Sequence, residues 1–132
     1  MTDAELVAHA KKARKSAYAP YSNYYVGCAL LAKDGVLFTG CNVENIVLPE
    51  TVCAEKVAVV KAVSEGHTEI EVAAVVTDSE PPATPCGSCR QMLHSWGVKR
   101  VLVANMDGEF TSYDMADLLP HAFRLTELPR GR

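Results

Sequence analysis

No stretch of this chain approaches the roughly 18–20 consecutive apolar residues that crossing a bilayer requires. No leader of basic, apolar and small residues opens it. The expectation is a chain that neither spans a membrane nor is exported. An excess of positive charge is missing too: 13 Lys and Arg stand against 16 Asp and Glu, for a net charge of −3. A nucleic-acid binder would show a basic stripe, and the cluster Lys11, Lys12, Arg14, Lys15 is short and helix-spaced, so it reads as a solvated helix face. Disorder is excluded by a hydrophobic content of 48%, enough for a domain of this length to bury a core without staples. Repeats, linkers and low-complexity runs are absent, so residues 1–132 are expected to form one domain. A complete disulfide framework is excluded by the odd count of five cysteines. Cys28 and Cys41 sit in strand-like apolar runs and read as small hydrophobes, which fits a reducing cytoplasm. His9, His67, His94 and His121 have no ligand spacing to the cysteines, and Trp96 reads as packing.

Residues 3–17 carry Leu6, Val7, Ala10, Ala13 and Ala17 at helical period, with Thr2 or Asp3 as N-cap and Pro20 as the stop. Val26 to Leu31 and Val36 to Cys41 read as strands joined by a turn at Lys33-Asp34-Gly35. A second helix runs from Cys53 to Gly66, its apolar positions being Val57, Val60 and Val63. Val72 to Thr77 is a β-branched run that reads as a strand buried on both faces. Gly87 to about Ser95 reads as a third helix, 101–103 as a buried strand, 109–113 as an edge strand and 113–119 as a short helix. This order predicts an α/β fold with one mixed five-stranded sheet and helices on both faces.

Two short motifs carry chemistry: Cys53-Ala54-Glu55 and Pro85-Cys86-Gly87-Ser88-Cys89. Cys86 and Cys89 stand at i and i+3 on a helical turn, and Cys53 opens the other helix, so helix N-termini face the thiolates and favour their deprotonated form. Three thiolates suit zinc and leave a fourth tetrahedral position for water. Glu55, two residues from Cys53, is poorly placed as a co-ligand yet close enough to act as the acid–base group. A thioredoxin-like redox pair would need neither the third cysteine nor the glutamate, and a structural zinc site normally has four protein ligands. A catalytic zinc site is the stronger reading. The pattern is the C-x-E…P-C-x-x-C form of the zinc deaminase signature.

From Tyr18 to Phe123 the chain resembles small homotetrameric zinc-dependent cytidine deaminases. The matching blocks are Tyr18-Ala19-Pro20-Tyr21-Ser22-Asn23, Thr39-Gly40-Cys41-Asn42-Val43-Glu44-Asn45, Lys61-Ala62-Val63-Ser64-Glu65-Gly66, Asp117-Leu118-Leu119-Pro120-His121-Ala122-Phe123 and the two cysteine motifs, the second extended through Arg90-Gln91. The resemblance implies a three-layer α/β/α sandwich, Zn²⁺ on Cys53, Cys86 and Cys89, and Glu55 as the proton shuttle. It implies hydrolytic deamination of free cytidine or deoxycytidine to the uridine counterpart, with release of ammonia, as in pyrimidine salvage. Asn42 and Glu44 would bind the ribose 3′-hydroxyl, Tyr24 would stack on the pyrimidine where relatives have Phe, and the Ala54 N–H would hold O2. Phe123 would reach a neighbouring subunit's pocket in a homotetramer with shared sites.

Two departures stand out. Lys56 occupies the place of an Arg that binds the ligand thiolates; its ammonium lacks the two-pronged contact, although Arg90 is positioned to offset the same charge. Ile46-Val47-Leu48-Pro49-Glu50 replaces a run of small residues ending in Tyr, so Leu48 removes a phenol near the ribose 5′-hydroxyl. A broadened or altered nucleoside range is expected, including modified cytosines. One rival is a deaminase of a cytosine-containing antibiotic or other aminated heterocycle; a rival of another class is a non-catalytic, zinc-stabilised binding module. Polynucleotide editing is disfavoured by the missing positive charge.

Overall fold

A computed structural model describes residues 1–124; the end of the expected 1–132 domain lies outside the described residues. The elements run α1 (Asp3–Arg14), β1 (Gly27–Ala32), β2 (Leu37–Cys41), α2 (Ala54–Ser64), β3 (Ile70–Val76), α3 (Gly87–Ser95), β4 (Arg100–Ala104), β5 (Phe110–Asp114) and α4 (Met115–Leu118). That is the expected order, with one addition: a single 3-10 turn at Leu48–Glu50.

The strands form one mixed sheet in the order β2-β1-β3-β4-β5. Only β3 and β4 pair in parallel, their crossover being α3; the other neighbours are antiparallel. Alternation along β3 and β4 divides the core. Ala73, Val75, Val101 and Val103 face α2, α3 and α4, packing with Ala58, Val59, Leu93, Met115 and Leu118. Val72, Ala74, Val76, Leu102 and Ala104 face α1, packing with Leu6, Val7 and Ala10. Three layers result because the central strands are apolar on both faces.

Two expectations are corrected. α1 ends at Arg14 rather than Ala17, well before Pro20. Its last turn is closed by short-range bonds from the amides of Lys15, Ser16 and Ala17 to Lys12, Ala13 and Arg14 carbonyls. The side chain of Arg14, the last helical residue, donates from Nε to the Tyr25 carbonyl at 2.8 Å and pairs with Asp78 at 2.9 Å. In α2 the buried face is Ala54, Glu55, Ala58, Val59 and Ala62, whereas Val60 is exposed.

The register fixes where a site can form. Gly27, the first residue of β1, pairs with both Cys41 and Val76, the last residues of β2 and β3. The chain therefore leaves β2 and β3 on the same edge of the sheet. From that edge the connections run to the first residues of α2 and α3, which brings both cysteine motifs to the carboxyl ends of parallel-running strands.

Candidate active site

Each cysteine motif sits at a helix start for a local reason. Cys53 and Cys86 are extended residues occupying the N-cap positions of α2 and α3, and neither side chain caps its helix. The sulfurs are thus free to turn away from the helices, while the first-turn N–H groups leave a positive field around them. Cys89, one turn into α3, is buried. The result is a tripod: the Sγ atoms of Cys53, Cys86 and Cys89 all lie within 4.8 Å of one another.

The electrostatics agree with a cation site. Hydrogen bonding with Cys89 pulls the Cys53 thiol down to about 6 despite its partial burial and the nearby Glu55 charge, with Lys56 helping. Cys89, the partner in that bond, is pushed up by it and by burial. A soft divalent ion would take the place of the proton in the Cys53–Cys89 bond. The donor set fits zinc, and no fourth side chain joins it among the described residues.

Glu55 is buried in the first turn of α2, 5% exposed, and desolvation raises its carboxyl above the usual range. It lines the same cavity of about 240 Å³ as the three cysteines, together with Tyr24, Asn42 and Ala54. The sequence-expected metal ligands, acid–base residue, ring-facing aromatic and Ala54 are thereby brought together.

Other expected residues are placed differently. Asn42 lines the cavity but is pinned to the backbone, accepting from the Val26 amide at 2.9 Å and donating to the Tyr24 carbonyl at 2.7 Å. Glu44 faces the Tyr21-Ser22 turn, where it accepts from both amides, at 2.9 and 3.1 Å, and from the Ser22 hydroxyl. The Ser22 hydroxyl and those amides hold its carboxyl below the usual range. Leu48 and Phe123 are outside the cavity, 64% and 65% exposed. Arg90 is tied to the loop before the metal helix: Nε donates to the Pro85 carbonyl, one terminal nitrogen to the Leu118 carbonyl and the other to Thr84 Oγ1, each at 2.7 Å. Its planar fork holds Thr84-Pro85 against the end of α4, setting the approach to Cys86.

Sequence reasoning missed several wall residues: Val26, Thr51, Val75, Thr77, Ala83 and Thr84. Thr77 is buried at the end of β3. Its one sequence signal was a hydroxyl closing an apolar run. The glycine of the Thr39-Gly40-Cys41 block also has a packing role. A Cβ there would lie 2.5 Å from the Ala54 carbonyl oxygen and 2.6 Å from the Ala58 nitrogen, so α2 can pass over β2 only at glycine.

Comparison with known proteins bears on this geometry. Residues 1–105 match the family model for the cytidine and deoxycytidylate deaminase zinc-binding region. A cytidine deaminase of Sporosarcina psychrophila is 45% identical over 126 residues, covering 94% of this chain and 93% of that protein. A crystal structure of a cytidine deaminase from Burkholderia pseudomallei superposes with a TM-score of 0.88 at 42% identity, covering 93% of this chain and 100% of that one. A blasticidin-S deaminase of Bacillus cereus is also similar, but at 26% identity over 107 residues, covering 75% of this chain and 76% of that protein.

Proposed function

The chain belongs to the cytidine and deoxycytidylate deaminase family, and from that premise we propose that it hydrolyses the C4 amine of free cytidine and deoxycytidine. The observation that carries the reading is the convergence of three cysteine sulfurs and a buried glutamate on one cavity wall. Cys53, Cys86 and Cys89 would hold zinc, which when bound would supply a water acidic enough to act as a nucleophile near neutral pH. The protein's own groups do the rest. Glu55 takes the water's proton, passes it to N3 of the ring and later delivers one to the departing amine. Oxygen adds at C4, the C4–N bond breaks, and uridine and ammonia leave. The Ala54 amide, unpaired in the first turn of α2, is suited to hold O2. Tyr24 offers a flat face to the pyrimidine; Asn42, on the cavity wall, would meet the ribose 3′-hydroxyl, and Glu44 would join it on release from the Tyr21-Ser22 turn. Lys56 tempers the net negative charge of a zinc–trithiolate unit.

The exposed segment Ile46-Val47-Leu48 and Phe123 complete the neighbours' sites in a homotetramer. All five cysteines are free thiols, as suits a reducing cytoplasm. No helix among the described residues is long and apolar enough to cross a membrane.

The decisive experiment follows ammonia release and loss of ultraviolet absorbance from cytidine alongside a zinc assay. Wild type is expected to turn over with one zinc per chain. Glu55→Gln should keep the zinc and the fold while losing at least about 10²–10⁴-fold in kcat. Zinc-loaded wild type that releases no ammonia from any pyrimidine nucleoside would establish the binding-module reading instead. Rates on 5′-deoxy and on N4- and C5-substituted analogues test the altered nucleoside range expected from Leu48. A sharp loss on removing the 5′-hydroxyl would contradict it.

A further inference from the structure

Ser79 is not on the cavity wall, yet its hydroxyl meets three residues that are. Tyr24 Oη lies 3.2 Å from Ser79 Oγ, Thr77 Oγ1 lies 3.0 Å from it, and the Ala83 amide donates to it at 3.1 Å, with a longer second branch to Thr77 Oγ1 at 3.4 Å. These partners come from three places: the segment entering β1, the residue leaving β3, and the loop descending to Cys86. The loop contains Pro81, Pro82 and Pro85, so it has few amides with which to fasten itself. Arg90 secures its inner end at Thr84 and Pro85. Its outer half is secured at Ser79.

Hydrogen counting orders the cluster. Ser79 Oγ has two lone pairs and one hydrogen. The Ala83 amide takes one lone pair, which leaves one to accept and one hydrogen to donate between Thr77 and Tyr24. Three hydroxyl hydrogens serve two oxygen–oxygen contacts, so one O–H remains at an end of the chain, on Thr77 or Tyr24. Both ends line the cavity.

We propose that Ser79 is a positioning residue for the nucleoside slot: by clasping Tyr24, Thr77 and Ala83 together it fixes the tilt of the Tyr24 ring and its separation from the Ala83-Thr84-Pro85 part of the wall. This rests on the nucleoside reading above. A flat heterocycle binds between two walls only when their spacing is set beforehand, so the clasp acts on ground-state binding.

The test is a double-mutant cycle on Ser79 and Tyr24. Ser79→Ala is expected to raise the KM for cytidine by about 3–10-fold, the worth of one net hydrogen bond, with kcat and zinc stoichiometry within twofold of wild type. Ser79→Thr, which keeps the hydroxyl, should restore most of the loss. Tyr24→Phe keeps the ring and should raise KM similarly, and the double variant should be no worse than the worse single, because both cut the same contact. Amide exchange at Ala83, read without substrate, should quicken in Ser79→Ala and return in Ser79→Thr. An unchanged KM in Ser79→Ala, additive effects in the double variant, failure of threonine to rescue, or unaltered Ala83 exchange would each overturn the clasp. A wild type that does not deaminate cytidine sinks the nucleoside reading, and Ala83 exchange then still decides whether the clasp exists.

Discussion

A methyl group at Gly40 would meet backbone, not a side chain that could swing aside: the Ala54 oxygen at 2.5 Å and the Ala58 nitrogen at 2.6 Å. Backbone cannot yield without moving the start of α2, and that start carries Cys53 and Glu55. Gly40→Ala is therefore expected to cost about 1–3 kcal/mol of stability, as overpacking does, and to weaken zinc binding at the same time. Urea unfolding beside a competitive zinc chelator assay checks both. The meeting of Cys53, Cys86, Cys89 and Glu55 on one cavity was legible because the proposed chemistry restricts which residue types can stand there and at what spacing. Gly40 was legible as part of a motif, but its reason was not, since one sequence does not show what passes over a Cα. Ser79 and Thr77 carried still less signal. Their meeting with Tyr24 is made by the sheet register, and serine and threonine in a loop have many ordinary uses.

Within the helices, the start of α3 was readable at Gly87 because Pro85 and Cys86 mark its entry, and its end was read as about Ser95, where the left-handed Gly97, at φ 92°, follows. The boundaries of α2 were readable for the same kind of reason, with Gly66 at φ 93° past its C-terminus. Its buried face was not. The valines Val57, Val60 and Val63 dominate any hydrophobic periodicity, but the stripe against the sheet is Ala54, Ala58 and Ala62, with Val59 beside it. Small side chains are what let a helix lie close over Gly40, and alanine contributes little to an apolar pattern. Ala58 is fully buried in the core beside Cys28 and Leu30. Ala58→Leu should accordingly destabilise by about 1–3 kcal/mol and displace the catalytic wall, seen as a lower thermal midpoint and a reduced kcat. α1 was overextended because Ala17 continued its period, while Arg14 had a tertiary partner that no local pattern reveals.

Across the whole molecule, the first turn of α1 is linked to the start of β4 by Asp3 and Arg100, whose bidentate contact measures 2.6 and 2.8 Å. The guanidinium holds the Asp3 carboxyl below its ordinary value, so this contribution is present above the unfolded pKa of about 3.9 and is lost as pH falls through the lowered folded value. The side chains are 37% and 35% exposed, so solvent screening limits the pair to below about 1 kcal/mol. Thermal unfolding should show Asp3→Asn slightly less stable than wild type at pH 7, with the gap closing once the pH drops below that folded value. The fold also leaves apolar surface in water. A ladder between Val43 and Val52 closes the base of an excursion, and at its tip Ile46, Val47 and Leu48 are 80%, 55% and 64% exposed. Tyr18, Tyr21 and Val43 extend the exposed apolar surface. Burying an isoleucine or leucine is worth about 1.5–3 kcal/mol, and in a closed homo-oligomer each gain is repeated at every symmetric contact. If that tip is an interface, a charge there must be desolvated in every copy, which no local rearrangement can offset. The double variant Ile46→Asp/Leu48→Asp is thus expected to sediment as a smaller species than wild type, with normal circular dichroism and zinc content, because neither side chain belongs to the core. Its turnover should fall on dilution, as residues lent between subunits are withdrawn. An unchanged sedimentation coefficient would mean that this tip joins no subunits.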